Sequence, residues 1–337
     1  MIKIGILGAS DIAFRRMAPA LYNSTQFEYI GVAIPSLKEW GSAKNAEEMI
    51  SLQKVKAQTF QEKFGGKIYE SYESLLKSDE VTAVYIPLPP GLHYKWGSEG
   101  LKNNKHILLE KPFTTCLEDT RNLLKEAEQR GLAVHENFAF LYHKQIETIE
   151  DILSKEEIGE LRLIRAAFGF PYRGENDFRY HKVMGGGALL DCGGYPLKLA
   201  DHLLGGTTIV STSFLSSCKN HDVDVFGSAT LKNRDGQIAQ IAFGMDNSYK
   251  CDLEIWGSKG YLSTKRVFTP TAEMQTKIII NNAEERIICV QPDDQFLHSA
   301  EFFAACVQDE KKRKDHYKTI EHQAELFEVM INKGGEL

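Results

Sequence analysis

The sequence predicts an α/β chain in two parts, a doubly wound parallel sheet followed by an α+β region, and three observations carry that reading. Strand and helix patterns alternate from Ile2 to Asn137, extended segments follow one another without helices from Leu161 onward, and a glycine turn lies where the first strand meets the first helix. A chain of 337 residues is too long for one ordinary core, so a division is expected on size alone. The boundary is placed to give parts 1–133 and 134–337.

In chain order, strand 2–7 is followed by a helix over about 12–22, strand 28–34, a charged helical stretch around 57–64, strand 82–87, helix 94–103, strand 106–110, helix 117–130 and a strand over 133–137. Alternation of this kind builds a parallel sheet with right-handed crossovers. The polar segment 36–54 reads as a loop with helical character that lengthens the second unit. Strands are then expected at 161–169, 207–217, 223–231, 237–244, 251–256, 261–265, 276–280 and 286–290. Gly257-Ser258-Lys259-Gly260 reads as a hairpin turn, since glycines take the positive φ values such turns require. Helices near 296–308 and 317–333 follow, and there is no internal repeat or low-complexity tract.

Composition narrows the partners. A net charge of -6 gives no long-range attraction to nucleic acid or an anionic membrane surface, which leaves small molecules or protein. Cys116, Cys192, Cys218, Cys251, Cys289 and Cys306 are widely spread and read as reduced, mostly buried thiols without a zinc-site spacing. His93 and His202 have no second His at i+4, so no metal is assigned. The chain enters a strand directly and has no apolar run of membrane-spanning length, which fits a cytoplasmic enzyme.

The most informative stretch is Ile107-Leu108-Leu109-Glu110-Lys111-Pro112-Phe113. An apolar run the length of a buried strand ends in a carboxylate, an ammonium and a proline. The carboxyl edge of a parallel strand opens into the crevice where ligands bind, so Lys111 is placed to meet substrate; the alternative is a strand leaving into a solvated loop.

Gly5-Ile6-Leu7-Gly8-Ala9-Ser10-Asp11-Ile12-Ala13 lies between the first strand and the first helix, the context that makes a dinucleotide fingerprint credible. Gly8 allows the tight turn, the helix opening at Asp11 and Ile12 points amides at a pyrophosphate, and Ala13 lets helix and sheet approach. Ser10 replaces the second glycine, and its hydroxyl offers a hydrogen bond in exchange for crowding. The alternative is an ordinary βα turn. After the second strand no carboxylate occurs before Glu39. Ser36 and Lys38 suit a 2′-phosphate, favouring NADP(H) with NAD(H) as the other choice; a plain turn is the competing reading.

Four landmarks in order resemble the Gfo/Idh/MocA oxidoreductase family over nearly the whole chain. They are the glycine turn, Ile86-Pro87-Leu88-Pro89-Pro90-Gly91-Leu92-His93, Leu109-Glu110-Lys111-Pro112-Phe113, and Gly185-Gly186-Gly187-Ala188-Leu189-Leu190-Asp191-Cys192-Gly193-Gly194-Tyr195-Pro196, which matches the family's D-x-G-x-H or D-x-G-x-Y segment. The resemblance implies a dinucleotide-binding Rossmann domain over 1–133. Over 134–337 it implies a substrate-binding α+β domain with an open, mostly antiparallel sheet whose exposed face forms subunit contacts, hence a homodimer or homotetramer. It further implies that Leu88, Pro89 and His93 lie along the cofactor, that Glu110 approaches the nicotinamide ribose, and that Lys111 stands beside the reacting carbon after a peptide bond that is often cis. Within the family, the Gly8 to Arg16 segment, Glu136-Asn137-Phe138-Ala139-Phe140 and the Tyr-ending motif look most like nucleotide-sugar 3-ketoreductases. Ser10, the 36–54 segment and Pro35 depart from the common pattern.

Reducing a ketone takes a hydride at carbon and a proton at oxygen. Tyr195 is the expected proton donor, with Lys111 stabilising its anion and polarising the carbonyl oxygen; the alternative is a buried tyrosine whose hydroxyl is satisfied structurally. Asp191, four residues earlier, shares a helical face with Tyr195 and can orient sugar hydroxyls, or else caps the helix. Tyr172, Arg173, Arg179 and Tyr180 offer aromatic faces and guanidinium forks to a sugar or its phosphate, or form a solvated loop. The expected function is hydride transfer between nicotinamide and a sugar or nucleotide-sugar carbonyl. An aldose or polyol dehydrogenase and a non-catalytic cofactor-binding regulator are the alternatives.

Overall fold

The computed structural model describes residues 1–41, 45–217 and 221–334; Cys218 and residues 42–44 of the 36–54 segment lie outside the described residues. The first sheet contains β1 (Ile2–Leu7), β2 (Phe27–Ala33), β3 (Lys67–Tyr69), β4 (Ala83–Ile86), β5 (His106–Glu110) and β6 (Val134–Asn137). Their order is β3-β2-β1-β4-β5-β6, and every pairing is parallel. Strand order reverses between β1 and β4, the switch point at which such sheets open a crevice. Ile4, Ile6, Leu108 and Leu109 are fully buried, as continuous apolar strands covered on both faces must be.

Residues 11–23 are helical, with a π-type widening at Ala13–Met17 before α1 (Ala18–Asn23). The 36–54 segment is more helical than expected: α2 (Leu37–Trp40) opens on a Ser36–Glu39 capping box, and α3 (Ala46–Phe64) buries Ala46, Ala57, Phe60 and Phe64. The strand β3 and the helix α4 (Tyr72–Leu76) are too short to leave a periodic signal. The helices α5 (His93–Lys102) and α6 (Leu117–Arg130) stand where expected.

The second sheet follows α7 (Lys144–Ser154), a helix absent from the sequence expectation. It contains β7 (Leu161–Gly169), β8 (Ile209–Ser217), β9 (Asp224–Lys232), β10 (Ile238–Gly244), β11 (Lys250–Gly257), β12 (Tyr261–Lys265), β13 (Thr276–Asn281) and β14 (Glu285–Val290). The order is β14-β13-β12-β11-β7-β10-β9-β8. Only β7 and β10 pair in parallel; the other pairings are antiparallel. Alternation is clean: Ile164, Ala166, Phe168, Leu253 and Ile255 face the core that includes α8 (Gly194–Leu203), while Arg165, Glu254, Trp256 and Tyr261 lie on the open face.

The chain divides into two compact units, and the division is not a single cut. The first holds Met1–Thr114, Glu118–Asn137 and Phe296–Ile320; the second holds Thr115–Leu117, Phe138–Gln295 and the chain from Glu321 onward. Strand β6 therefore completes the first sheet beyond residue 133. The helix α9 (Gln295–Gln308) and the first part of α10 (Glu310–Gly334) return to the first unit. Physically, Phe303 stacks on Phe27 with ring centroids 6.3 Å apart, in a core shared with Ile2, Ile4 and Leu108. Cys192, Cys251 and Cys306 are buried, whereas Cys116 and Cys289 are exposed. Among the described residues, no helix is long and apolar enough to cross a membrane.

Phe303 has no exposed surface, so Phe303→Ala is expected to cost about 3–5 kcal/mol by emptying a filled core position. Urea unfolding of the variant against wild type measures it; a loss under about 1 kcal/mol would contradict the packing of α9 on the first sheet.

Candidate active site

Gly8 ends β1 with φ of +105°. A Cβ there would come within 2.9 Å of Leu88 Cδ2 and 3.3 Å of Tyr72 Oη, so both conformation and space require glycine. The Ser10 N–H donates to the Gly8 carbonyl at 2.9 Å, and Ser10 Oγ accepts from the Ala13 N–H at 3.2 Å. The hydroxyl that replaces a motif glycine thus caps the helix that Asp11 and Ile12 open. Asp11 is exposed and pairs with Lys56 at 3.1 Å. A cradle that a Cβ would fill, leading into helix amides, fits a dinucleotide pyrophosphate.

Past β2, the Ser36 N–H and hydroxyl both donate to Glu39 Oε2, at 2.7 and 2.9 Å. The same carboxylate accepts the Tyr72 N–H at 3.1 Å and the Glu73 N–H at 2.9 Å. Ser36 is therefore already engaged by Glu39, while Lys38 is exposed. The S-x-x-E spacing was the signal for this arrangement.

The carboxyl ends of β4, β5 and β6 hold a dense polar group. Glu110 Oε1 accepts from Tyr85 Oη and from Asn137 Nδ2, each at 2.6 Å; register places Asn137 directly beside Glu110. Burial lifts the Glu110 carboxyl above its ordinary range, against the pull of those two donors and of the Lys111 charge. Lys111 is half-buried and the Lys111-Pro112 bond is cis. His93 has no exposed surface. Its ring nitrogens lie 2.8 Å from the Pro112 carbonyl and 2.7 Å from that of Leu88, so it braces the Leu88-Pro89 turn against the Lys111-Pro112 turn. Burial pushes its pKa down to about 4 although both carbonyls favour the cation, which leaves it neutral near pH 7 and able to donate to only one of the two carbonyls at a time. Glu136 adds a third brace by accepting the Phe113 N–H at 2.8 Å. Glu136 and Tyr85 were missed as site residues. The polar run His135-Glu136-Asn137, three of the four residues of β6, was the signal for Glu136, whereas Tyr85 lies in the apolar β4 and had none.

In the second unit, a π-type turn over Leu189–Gly193 leads into α8, so Asp191 and Tyr195 lie on one helical stretch. The half-buried Tyr195 ring packs against Phe138, Phe140, Phe168 and Phe268, with centroids 5.0 to 5.8 Å away. Asp191 does not cap the helix: its carboxylate accepts from Arg179 Nε at 2.7 Å, and Asp177 takes Arg179 Nη1 at 3.0 Å. Burial opposes the Arg179 cation, but the two carboxylates, Asp191 foremost, raise its pKa above the ordinary guanidinium value. The capping acceptor is Asp224, which takes the Leu189 N–H at 2.7 Å. Gly187, with φ of +121°, lies so close that a Cβ would reach 2.5 Å from Asp224 Oδ1. Asp224 has no motif around it in sequence, so nothing there announced it. Tyr172 is 43% exposed and meets the Tyr180 ring at 4.9 Å, while Arg173 lies over Phe170 at 4.6 Å. Among the described residues, no group of three or more His, Cys, Asp or Glu side chains gathers as a metal site.

The model of an oxidoreductase family with an NAD-binding Rossmann fold matches residues 2–138, and that of the GFO/IDH/MocA C-terminal domain matches residues 146–263. Fold and site together define a Rossmann-fold oxidoreductase with a second, mostly antiparallel sheet. The chain belongs to the Gfo/Idh/MocA oxidoreductase family. It is 37% identical over 330 residues to the dTDP-3,4-didehydro-2,6-dideoxy-alpha-D-glucose 3-reductase of Actinomadura kijaniata, covering 98% of this chain and 94% of that protein. The enzyme so named in Streptomyces antibioticus is 33% identical over 332 residues, covering 98% of this chain and 96% of its own. Among solved structures, KijD10, a 3-ketoreductase from Actinomadura kijaniata in complex with NADP and TDP-benzene, superposes with a TM-score of 0.89 at 36% identity, covering 98% of this chain and 97% of that one.

Two pH dependences follow, of opposite sign. Burial pushes His93 and His106 down from 6.5 to about 4, so unfolding takes up protons below the ordinary value. Their contribution to stability is full above about pH 6.5 and lost as pH falls toward 4. Asp224 is pushed up by burial from 3.8 to about 6, so its contribution is full below about pH 4 and lost as pH rises through 6. Asp224→Asn keeps an oxygen for the Leu189 N–H and is expected to raise stability at pH 7.5 by about 1–3 kcal/mol, a gain that shrinks toward pH 4.5. Urea titrations at both pH values check it; an equal difference at each would contradict the assignment.

Proposed function

We propose that the chain is an NADP(H)-dependent ketoreductase acting at C3 of a nucleotide-linked keto-deoxysugar, and that it works as a cytoplasmic homodimer or homotetramer. The observation that carries the reading is a combination. Full-length similarity to dTDP-sugar 3-reductases accompanies a lysine at the carboxyl end of β5 and a tyrosine opening α8, the two residue types that ketone reduction with proton transfer requires.

In this reading Gly8, Ser10 and the amides at Asp11 and Ile12 hold the pyrophosphate, with Leu88, Pro89 and Glu110 along the nicotinamide half and Lys38 at the 2′-phosphate; Ser36, expected there from the sequence, has its N–H and hydroxyl on Glu39 and caps α2 instead. The reduced nicotinamide, when bound, supplies the hydride. The Lys111 ammonium polarises the substrate carbonyl, and Tyr195 Oη gives its proton to the oxygen as the alcohol forms. The four phenylalanine rings packed around Tyr195 fix the orientation of its ring. Asp191 orients sugar hydroxyls, while Arg179 and Tyr172 meet the nucleotide portion. The oligomer is supported by the open face of the second sheet, where Phe214 and Ile287 are 56% and 53% exposed and Arg165 lies over Trp256 at 4.5 Å. A concavity of about 890 Å³ on that face is lined by Arg165, Gln240, Glu254 and Lys265; it belongs to the open face and not to the one α8 covers.

The test is NADPH oxidation with dTDP-3,4-didehydro-2,6-dideoxy-α-D-glucose. Lys111→Ala and Tyr195→Phe are expected to lower kcat by ~10²–10⁴ while the NADPH dissociation constant moves less than about threefold. Wild-type rates in both variants would overturn the roles. Lys38→Ala is expected to weaken NADPH about fivefold and leave NADH unchanged, as expected for a lost charge-assisted contact to a phosphate. Fluorescence titration with both nucleotides decides it.

A further inference from the structure

Beyond the direct partners of Glu110, the first unit contains a run of hydrogen bonds that leads from this carboxylate into the interior. Asn137 is almost wholly buried, and His135 and Ser299 are fully so. Glu110 Oε1 takes the Asn137 Nδ2 hydrogen at 2.6 Å, which turns Asn137 Oδ1 toward Ser299. Ser299 Oγ donates its one hydrogen to that oxygen at 2.7 Å. Its lone pair then faces His135 Nε2 at 2.9 Å, so this nitrogen must carry the hydrogen. His135 Nδ1 lies 2.8 Å from His316 Nε2; in a neutral His135 it is the acceptor, and His316 Nε2 is the donor. The imidazole planes of His135 and His316 are 30° apart with centroids at 4.8 Å, and Phe302 and Phe303 flank His135 at 5.5 and 6.3 Å. From His135 inward every hydrogen points toward Glu110, while Thr319 Oγ1, which donates to the His316 carbonyl at 2.8 Å, lies 3.2 Å from His316 Nδ1.

We propose that Asn137, Ser299 and His135 are positioning residues that hold Glu110 as an oriented anion beside Lys111. The inference deepens the dinucleotide role given to Glu110 above and rests on that reading. An aligned chain of donors stabilises the anion at its end more than an isolated donor does, because each bond polarises the next. The groups facing Glu110 are Tyr85 from β4, Asn137 from β6 and its own neighbour Lys111. Tyr85 and Asn137 act through uncharged hydrogen bonds, so the direction of the Asn137 amide matters: reversed, it would present oxygen to oxygen. His135 and Ser299 prevent that reversal. The anion so held accepts a ribose hydroxyl and keeps the adjacent ammonium protonated, with no contact between His135 or Ser299 and either reactant.

The first measurement needs no substrate. In protein labelled with ¹⁵N-histidine, His135 is expected as the Nε2–H tautomer; an Nδ1–H tautomer would overturn the proposal whatever the variants do. The second follows the Glu110 carboxyl by ¹³C NMR. Ser299→Ala is expected to raise its titration midpoint by about one pH unit, and His135→Phe by a similar amount, through loss of hydrogen bonding to the charged form. His135→Gln, whose amide can still donate to Ser299, is expected to restore the wild-type midpoint. Unchanged midpoints in folded Ser299→Ala and His135→Phe would overturn the proposal, since a packing role alone predicts lower thermal stability without a shift. In the third measurement, NADPH affinity of Ser299→Ala should fall more steeply toward low pH than that of wild type. Absence of sugar turnover would sink the ketoreductase reading and leave the tautomer and carboxyl results standing.

Discussion

Strand β5 is buried on both faces as far as Leu109, and the next residues are a carboxylate and an ammonium. Charges at the rim of such a strand persist only if neighbouring elements supply their partners, because an unpaired polar group out of reach of water costs several kcal/mol. The flanking strands do so. Register sets Asn137 of β6 against Glu110 and Tyr85 of β4 against Leu108, so both donors approach the same oxygen. His93 and Glu136 then fix the turn that follows, through the Pro112 carbonyl and the Phe113 N–H. The polar rim is thus a consequence of an apolar sheet: the more completely the strands are covered, the more exactingly their ends must be satisfied.

The second unit meets a related demand with different means. A helix must begin on the covered face of its sheet, where the first amides have no solvent. Asp224, from an adjacent strand, supplies the acceptor, and Gly187 gives it room. The carboxylate has no cation among the causes that set its pKa, only desolvation and two backbone amides, which is why it is the less comfortable of the two buried acids near this turn. Asp191 has Arg179 at 2.7 Å and suffers no such deficit.

How much of this was legible in the sequence depends on where the partner comes from. Elements with a full period could be read: the parallel alternation, the eight strands from Leu161 and the hairpin at 257–260 all stand within a few residues of expectation. The glycine turn, the Glu110-Lys111 rim and the Tyr195 segment stood out in the sequence because each is a local pattern. What could not be read is contact across distance. Glu39 seizing Ser36 had a local signature, the capping box, that went unused. Ser299 beside Asn137, 162 residues away, had none. By contrast, α7 carries a readable apolar stripe, Ile146, Ile149 and Ile152, over three turns, whereas β3 is only three residues long and leaves no period to read.

The return of Phe296–Ile320 to the first unit has a consequence for how the molecule is born. A ribosome that has finished β6 has made the whole parallel sheet but not the helix whose Phe303 closes over Phe27. At about 5–20 residues per second, roughly 10–40 s of synthesis separate the end of β6 from the arrival of Ile320. Throughout that interval the nascent sheet carries an uncovered apolar flank and a His135 without its distant neighbours. The amino-terminal half is therefore not a self-sufficient gene fragment, and its completion is tied to the emergence of the last helices of the chain.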